Sequence, residues 1–90
     1  MYIIRFNRIA EKDLKRLRRG ESILLNKVKE LIEEIKITPY EGKGKPEQLL
    51  HNYAGRWSRR ISKKHRLVYL VEEEAMRVTI EKCYGHYDDK

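Results

Sequence analysis

The stretch WSRRISKKHRLVYLVEEEAMRVTIEKCY, residues 57–84, decides the fold. Its first part, Trp57 to Ser62, alternates: Trp57, Arg59 and Ile61 fall on one side, and Ser58, Arg60 and Ser62 on the other. That period of two is the signature of a strand. Arg66 to Val71 is nearly all apolar and suits a central strand covered on much of both faces. The Glu72-Glu73-Glu74 run reads as a hairpin turn, although it lacks the Asn-Gly pair of the tightest turns. Arg77 to Tyr84 reads as the last strand.

Upstream the period changes. Tyr2 to Phe6 is a short β-prone run, and Asn7 is placed to cap a helix. Residues 8–19 carry Ala10, Leu14 and Leu17 as a narrow apolar stripe on a highly charged helix that ends at Gly20. A second helix starts at Glu21 or Ser22, with a wider stripe of Leu24, Leu25, Val28, Leu31, Ile32 and Ile35. It stops at Thr38-Pro39, because proline disfavours α geometry in the residue before it. Residues 39–56 contain Pro39, Gly42, Gly44, Pro46 and Gly55 and read as loop, with one turn near Glu47–His51. The order is β-α-α-β-β-β. It predicts an α+β fold in a single domain, residues 1–90, with a two-helix hairpin packed on one face of a small antiparallel sheet. The other face is left open to a partner, with Ser58, Arg60 and Arg66 available to line it.

Composition narrows the class. The single cysteine, Cys83, has no partner for an internal disulfide, and no Cys/His spacing fits a metal, so the chain reads as cytoplasmic and metal-free. No apolar run approaches the ~20 residues of a membrane span, and the Met1 end lacks the plan of a signal peptide; no membrane partner is expected. Charge is the informative term. Residues 43–66 hold eight basic residues against one acid, Glu47, a net +7 that equals the excess of the whole chain. A concentrated basic segment fits a polyanionic partner, either nucleic acid or an acidic peptide.

Cleaving RNA without a metal takes a base for the 2′-hydroxyl, an acid for the leaving 5′-oxygen, and cations for the charge that builds on phosphorus. The chain offers Glu47, His86, and the pair Arg60 and Arg66. Each residue also has a plainer role. Glu47 suits the first turn of a short helix after Pro46, and Arg60 and Arg66 suit phosphate positioning. Trp57 and Tyr69 suit the core, and His51 and His65 suit either structural places or places beside a nucleic acid. Tyr84 and Tyr87 fit either base stacking or cover for the sheet edge. The residue types alone leave these alternatives open.

Taken together, GKGKPE (residues 42–47), the N-x-x-G-x-W-S-R-R-I run (residues 52–61), the H-R-L-V-Y strand (residues 65–69) and the final His86-Tyr87 resemble the YoeB/Txe toxins of the RelE/ParE superfamily. The resemblance implies a type II toxin that cleaves mRNA in the ribosomal A site, needs no cofactor, and is neutralised by a YefM/Axe-type antitoxin. It implies Glu47 as general base, His86 as general acid, Arg66 as stabiliser of the phosphate, Tyr87 as substrate orienter and Arg60 as part of the same cluster. Lys43, Lys45, Arg59, Lys63 and Lys64 are expected to contact RNA. Two other classes stay in play: a basic protein that blocks the ribosome without cutting, and a ParE-like toxin directed at DNA gyrase. Dimerisation of the free chain is left open. The ending Cys83-Tyr84-Gly85-His86-Tyr87 departs from the Cys-Arg-Tyr-His-Tyr of the family, and Asp88 and Asp89 add negative charge expected to weaken RNA binding modestly.

Overall fold

The structure, a computed structural model, describes residues 1–51 and 55–85. In chain order it has strand β1 (Ile3–Phe6), helices α1 (Arg8–Gly20) and α2 (Ser22–Ile35), and a two-residue strand β2 (Glu47–Gln48). Strands β3 (Arg56–Arg60), β4 (Arg66–Glu72) and β5 (Arg77–Lys82) follow. A single 3-10 turn, Glu73–Ala75, joins β4 to β5 where the three glutamates marked a turn. The sheet order is β1-β5-β4-β3-β2.

The helices form where the apolar spacing placed them. Asn7 caps α1 through its Oδ1, which accepts the Ala10 N–H at 2.8 Å. Ala10 and Leu17 of α1 and Val28, Leu31, Ile32 and Ile35 of α2 are buried against Leu67 and Tyr69 of β4 and Val78 and Ile80 of β5. Burying each such aliphatic side chain is worth about 1.5–3 kcal/mol. The α+β reading, with both helices on one sheet face, is what the chain adopts.

Two features differ from expectation. The sheet is mixed: β1 runs parallel to β5, whereas the other three pairings are antiparallel. The helical hairpin carries the chain away from β1, and the strand that finally pairs with it returns in the same direction, as parallel pairing through a long crossover requires. The loop before β3 is also partly zipped onto it. Glu47 stands opposite Ser58 and Gln48 opposite Trp57. The ladder is extended by the Leu49 N–H to the Arg56 carbonyl at 2.9 Å and by the Arg60 N–H to the Gly44 carbonyl at 2.6 Å. Pro46 is tolerated here because β2 is an edge strand. Glu47 is thus held by a sheet rather than by the helix start its position after Pro46 also allowed.

One buried acid was hidden in the apolar stripe of α1. Asp13, on the same face as Ala10 and Leu17, is buried and accepts the Cys83 N–H at 3.0 Å. A bulge at the Val68/Tyr69 register shifts β5 so that Ile80 and Cys83 both enter the core. Burial and the nearby Asp13 carboxylate push the Cys83 thiol up to about 12, so it packs as an inert thiol.

Candidate active site

The loop that carries the site is built around a buried arginine. Arg59 is fully buried, and all five N–H groups of its guanidinium find acceptors. Nε donates to the Tyr69 hydroxyl at 3.1 Å. Nη1 donates to Glu34 Oε1 at 2.5 Å and to the Lys43 carbonyl at 3.2 Å. Nη2 donates to the carbonyls of Thr38 at 2.6 Å and Glu41 at 2.9 Å. Tyr69 passes its own hydrogen to the Pro39 carbonyl at 2.6 Å. Residues 38–43 therefore wrap around one side chain. Gly42 is required there: its φ is +125°, and a Cβ would lie 2.1 Å from Glu34 Oε1.

This placement removes Arg59 from the expected RNA contacts. Its side of β3 is the Ile61 side, which faces the helices, and its charge is answered inside the protein by Glu34. The Lys43 N–H, bonded at 2.7 Å, and then Arg59 hold the Glu34 carboxyl below the usual carboxylate range. A depressed folded-state pKa contributes stability that is complete above the ordinary value of about 4.3 and is lost as pH falls through the lowered one. Urea unfolding followed from pH 3 upward should therefore show the wild type gaining stability through the carboxylate range. A Glu34→Gln variant should gain less, and parallel profiles would remove Glu34 from this role.

With the loop fixed, Gly44, Lys45, Glu47, Ser58, Arg60 and Arg66 line one pocket on the open side of the sheet. Strand register does the assembling. β2 sets Glu47 opposite Ser58, and the β3–β4 hairpin sets Arg60 opposite Arg66. Like charges directly opposite each other on a sheet destabilise it by roughly 0.2–1 kcal/mol. Among the described residues no carboxylate forms an ion pair with either arginine; Arg66 Nη1 reaches only the Ser62 carbonyl, at 3.2 Å. Three cations and one carboxylate share the pocket, a receptor for an anion with a single proton acceptor beside it.

The other expected residues divide. Lys63 and Lys64 are exposed in the β3–β4 turn, next to the Arg60–Arg66 pair in sequence. Lys43 is exposed but turned toward α2, 3.7 Å from Glu30 Oε1. Tyr84 is not a free stacking platform: its ring packs on His65 with centroids 4.3 Å apart and carries the Arg16 guanidinium 3.9 Å from its centroid. His86 and Tyr87, expected as acid and orienter, lie outside the described residues. The chain reaches the Arg66 end of the pocket just before them, where the Arg66 N–H donates to the Gly85 carbonyl at 2.9 Å. Two pairings of this architecture gave no sequence signal, Glu34 with Arg59 beneath the loop and His65 with Glu21 and Gly85. Each is defined by a contact distant along the chain.

Comparison with known proteins agrees with this fold. Residues 6–87 match the family described as YoeB-like toxins of bacterial type II toxin-antitoxin systems. Toxin YoeB of Escherichia coli K12 is 50% identical over 64 residues, which cover 71% of this chain and 74% of that protein. A YoeB/ParE toxin from Agrobacterium tumefaciens superposes with a TM-score of 0.90 at 35% identity, over 94% of this chain and 99% of the other. The toxin in a heterotetrameric YoeB–YefM complex from Staphylococcus aureus superposes with a TM-score of 0.83 at 36% identity, over 97% and 99% of the two chains.

Proposed function

The chain belongs to the family of YoeB-like toxins of bacterial type II toxin-antitoxin systems, and from that premise we propose that it is a metal-independent endoribonuclease acting on mRNA in the ribosomal A site. The observation that carries this reading is the pocket in which Glu47, an acceptor-only carboxylate, stands among Lys45, Arg60 and Arg66. In the proposed reaction Glu47 takes the proton of a ribose 2′-hydroxyl as its oxygen attacks the adjacent phosphorus. Arg60 and Arg66 bind the non-bridging oxygens, which gain charge in the transition state. His86 gives a proton to the departing 5′-oxygen, a task suited to the side chain that titrates nearest neutrality. The products are a 2′,3′-cyclic phosphate and a free 5′-hydroxyl. Tyr87 orients the substrate, and Lys45, Lys63 and Lys64 hold neighbouring phosphates.

A YefM-type antitoxin is the proposed partner, in line with the S. aureus complex. An acidic segment ordering across the pocket would neutralise its cations while adding apolar contacts. The test of function is transcript 5′-end mapping after induction. New ends inside codons are expected, and they should vanish when ribosomes are kept from loading. Growth arrest without new ends would mean a blocking protein or one aimed at gyrase.

A further inference from the structure

His65 takes no part in the reaction above, yet it precedes the pocket residue Arg66 and its ring is buried and engaged at both nitrogens. The Gly85 N–H lies 2.7 Å from Nδ1. A backbone amide can only donate, so Nδ1 is the nitrogen with the lone pair. Nε2 then carries the hydrogen and donates to Glu21 Oε2 at 2.8 Å. Glu21 is itself fixed between the helices, its N–H bonded to the Leu17 carbonyl at 2.8 Å. The two partners together select one tautomer and one ring orientation.

What the ring holds is the exit of the last strand. Gly85 has φ +78°, a conformation glycine accepts without strain, and nothing lies within 4 Å of where its Cβ would be. Its N–H is taken by His65, and its carbonyl accepts from Arg66, the residue after His65. Tyr84 covers the ring at 4.3 Å. The imidazole thus pins the chain after β5 onto the start of β4.

We propose that His65 is a positioning residue for the cleavage reaction, its Nδ1 fixing, through the Gly85 N–H, the glycine whose carbonyl holds the Arg66 backbone at the pocket. This rests on the nuclease reading above. Two substitutions separate the nitrogens. In H65N the amide oxygen falls near Nδ1 and still accepts from Gly85, whereas in H65Q the amide nitrogen falls near Nε2, reaching Glu21 and offering Gly85 no acceptor. Both lose the same ring contact with Tyr84, so the packing loss is shared.

Single-turnover cleavage of mRNA on programmed ribosomes should therefore leave H65N near the wild-type kcat and lower H65Q by about tenfold to a hundredfold, with KM unchanged in both, since small misplacements of catalytic groups cost that much. Equal kcat values, or the reverse order, would overturn the proposal and assign His65 to its tie with Glu21 alone. If either variant fails to fold, the ring ¹⁵N shifts of His65 in the full-length wild type decide: an unprotonated Nδ1 is expected, and a protonated one overturns the clamp. Wild-type protein that leaves ribosome-bound mRNA intact sinks the nuclease reading instead, and the ring measurement still reports on the clamp.

Discussion

Arg59→Ala is expected to lower the unfolding free energy by about 3–5 kcal/mol, the usual cost of removing one partner of a buried charge pair. For a domain whose total stability is about 5–15 kcal/mol, that is a large fraction. The guanidinium answers Glu34, the carbonyls of Thr38, Glu41 and Lys43, and the Tyr69 hydroxyl, and alanine removes all five of these bonds, leaving Glu34 only the Lys43 N–H. Glu34 keeps some exposure, 30% of its side chain, so water relieves part of its loss and the lower end of the range is the better expectation. Arg59→Lys should do little better, because an ammonium offers three donors where five bonds are made and cannot form the planar fork. Urea unfolding of Arg59→Ala, Glu34→Gln and the double variant measures it. The double variant should lose clearly less than the sum of the singles. An Arg59→Ala midpoint shifted by less than about 0.5 kcal/mol, the range of ordinary surface substitutions, would mean that the loop does not depend on this side chain.

That buried arginine also shows where sequence reasoning stopped. The alternation of residues 57–62 placed Arg59 on the side of Ile61, which is correct, but as one cation of the basic segment it was expected among the RNA contacts, although it shares an apolar side. Its partner Glu34 is 25 residues away, and no local pattern couples the two. The Asn7 cap and both helical stripes were legible because they are local and periodic. Asp13 could have been noticed, since it lies between Ala10 and Leu17 on the buried face. The parallel pairing of β1 with β5 had no such signal, because only burial from distant elements selects that neighbour. The same holds for β2, two residues recruited by an existing edge. The pocket nonetheless gathers Glu47, Arg60 and Arg66, the three described members of the expected cluster, because strand register turns sequence alternation into a common face. A consequence for mutagenesis follows: charge reversal at Arg59 tests folding, whereas charge reversal at the exposed Lys45, Lys63 and Lys64 tests surface contact.

The second large effect is on chemistry. Glu47→Gln should lower kcat on ribosome-bound mRNA by about 10²–10⁴-fold, the usual contribution of a positioned general base. The amide keeps the shape and the edge-strand backbone bonds, so the unfolding midpoint should stay near wild type. Arg66→Ala should lower kcat by about 10²–10³-fold, as removal of a transition-state charge stabiliser does. Because Arg60 stands directly opposite, it remains to bind the ground-state phosphate, and KM should rise less than kcat falls. Losing one of two like charges also relieves a repulsion, so Arg66→Ala should unfold no earlier than the wild type unless its bond to Ser62 matters. Lys63→Ala and Lys64→Ala give the opposite kinetic pattern. Each should raise KM and flatten its dependence on salt, as loss of a phosphate contact does, with kcat retained. The double variant Glu47→Gln/Arg66→Ala should fall short of the product of the single losses, since groups acting in one transition state are not additive. A Glu47→Gln enzyme that cuts at a rate within about threefold of wild type, well short of what a general base contributes, would remove the carboxylate from the mechanism. The pocket would then be a phosphate-binding site whose base lies elsewhere.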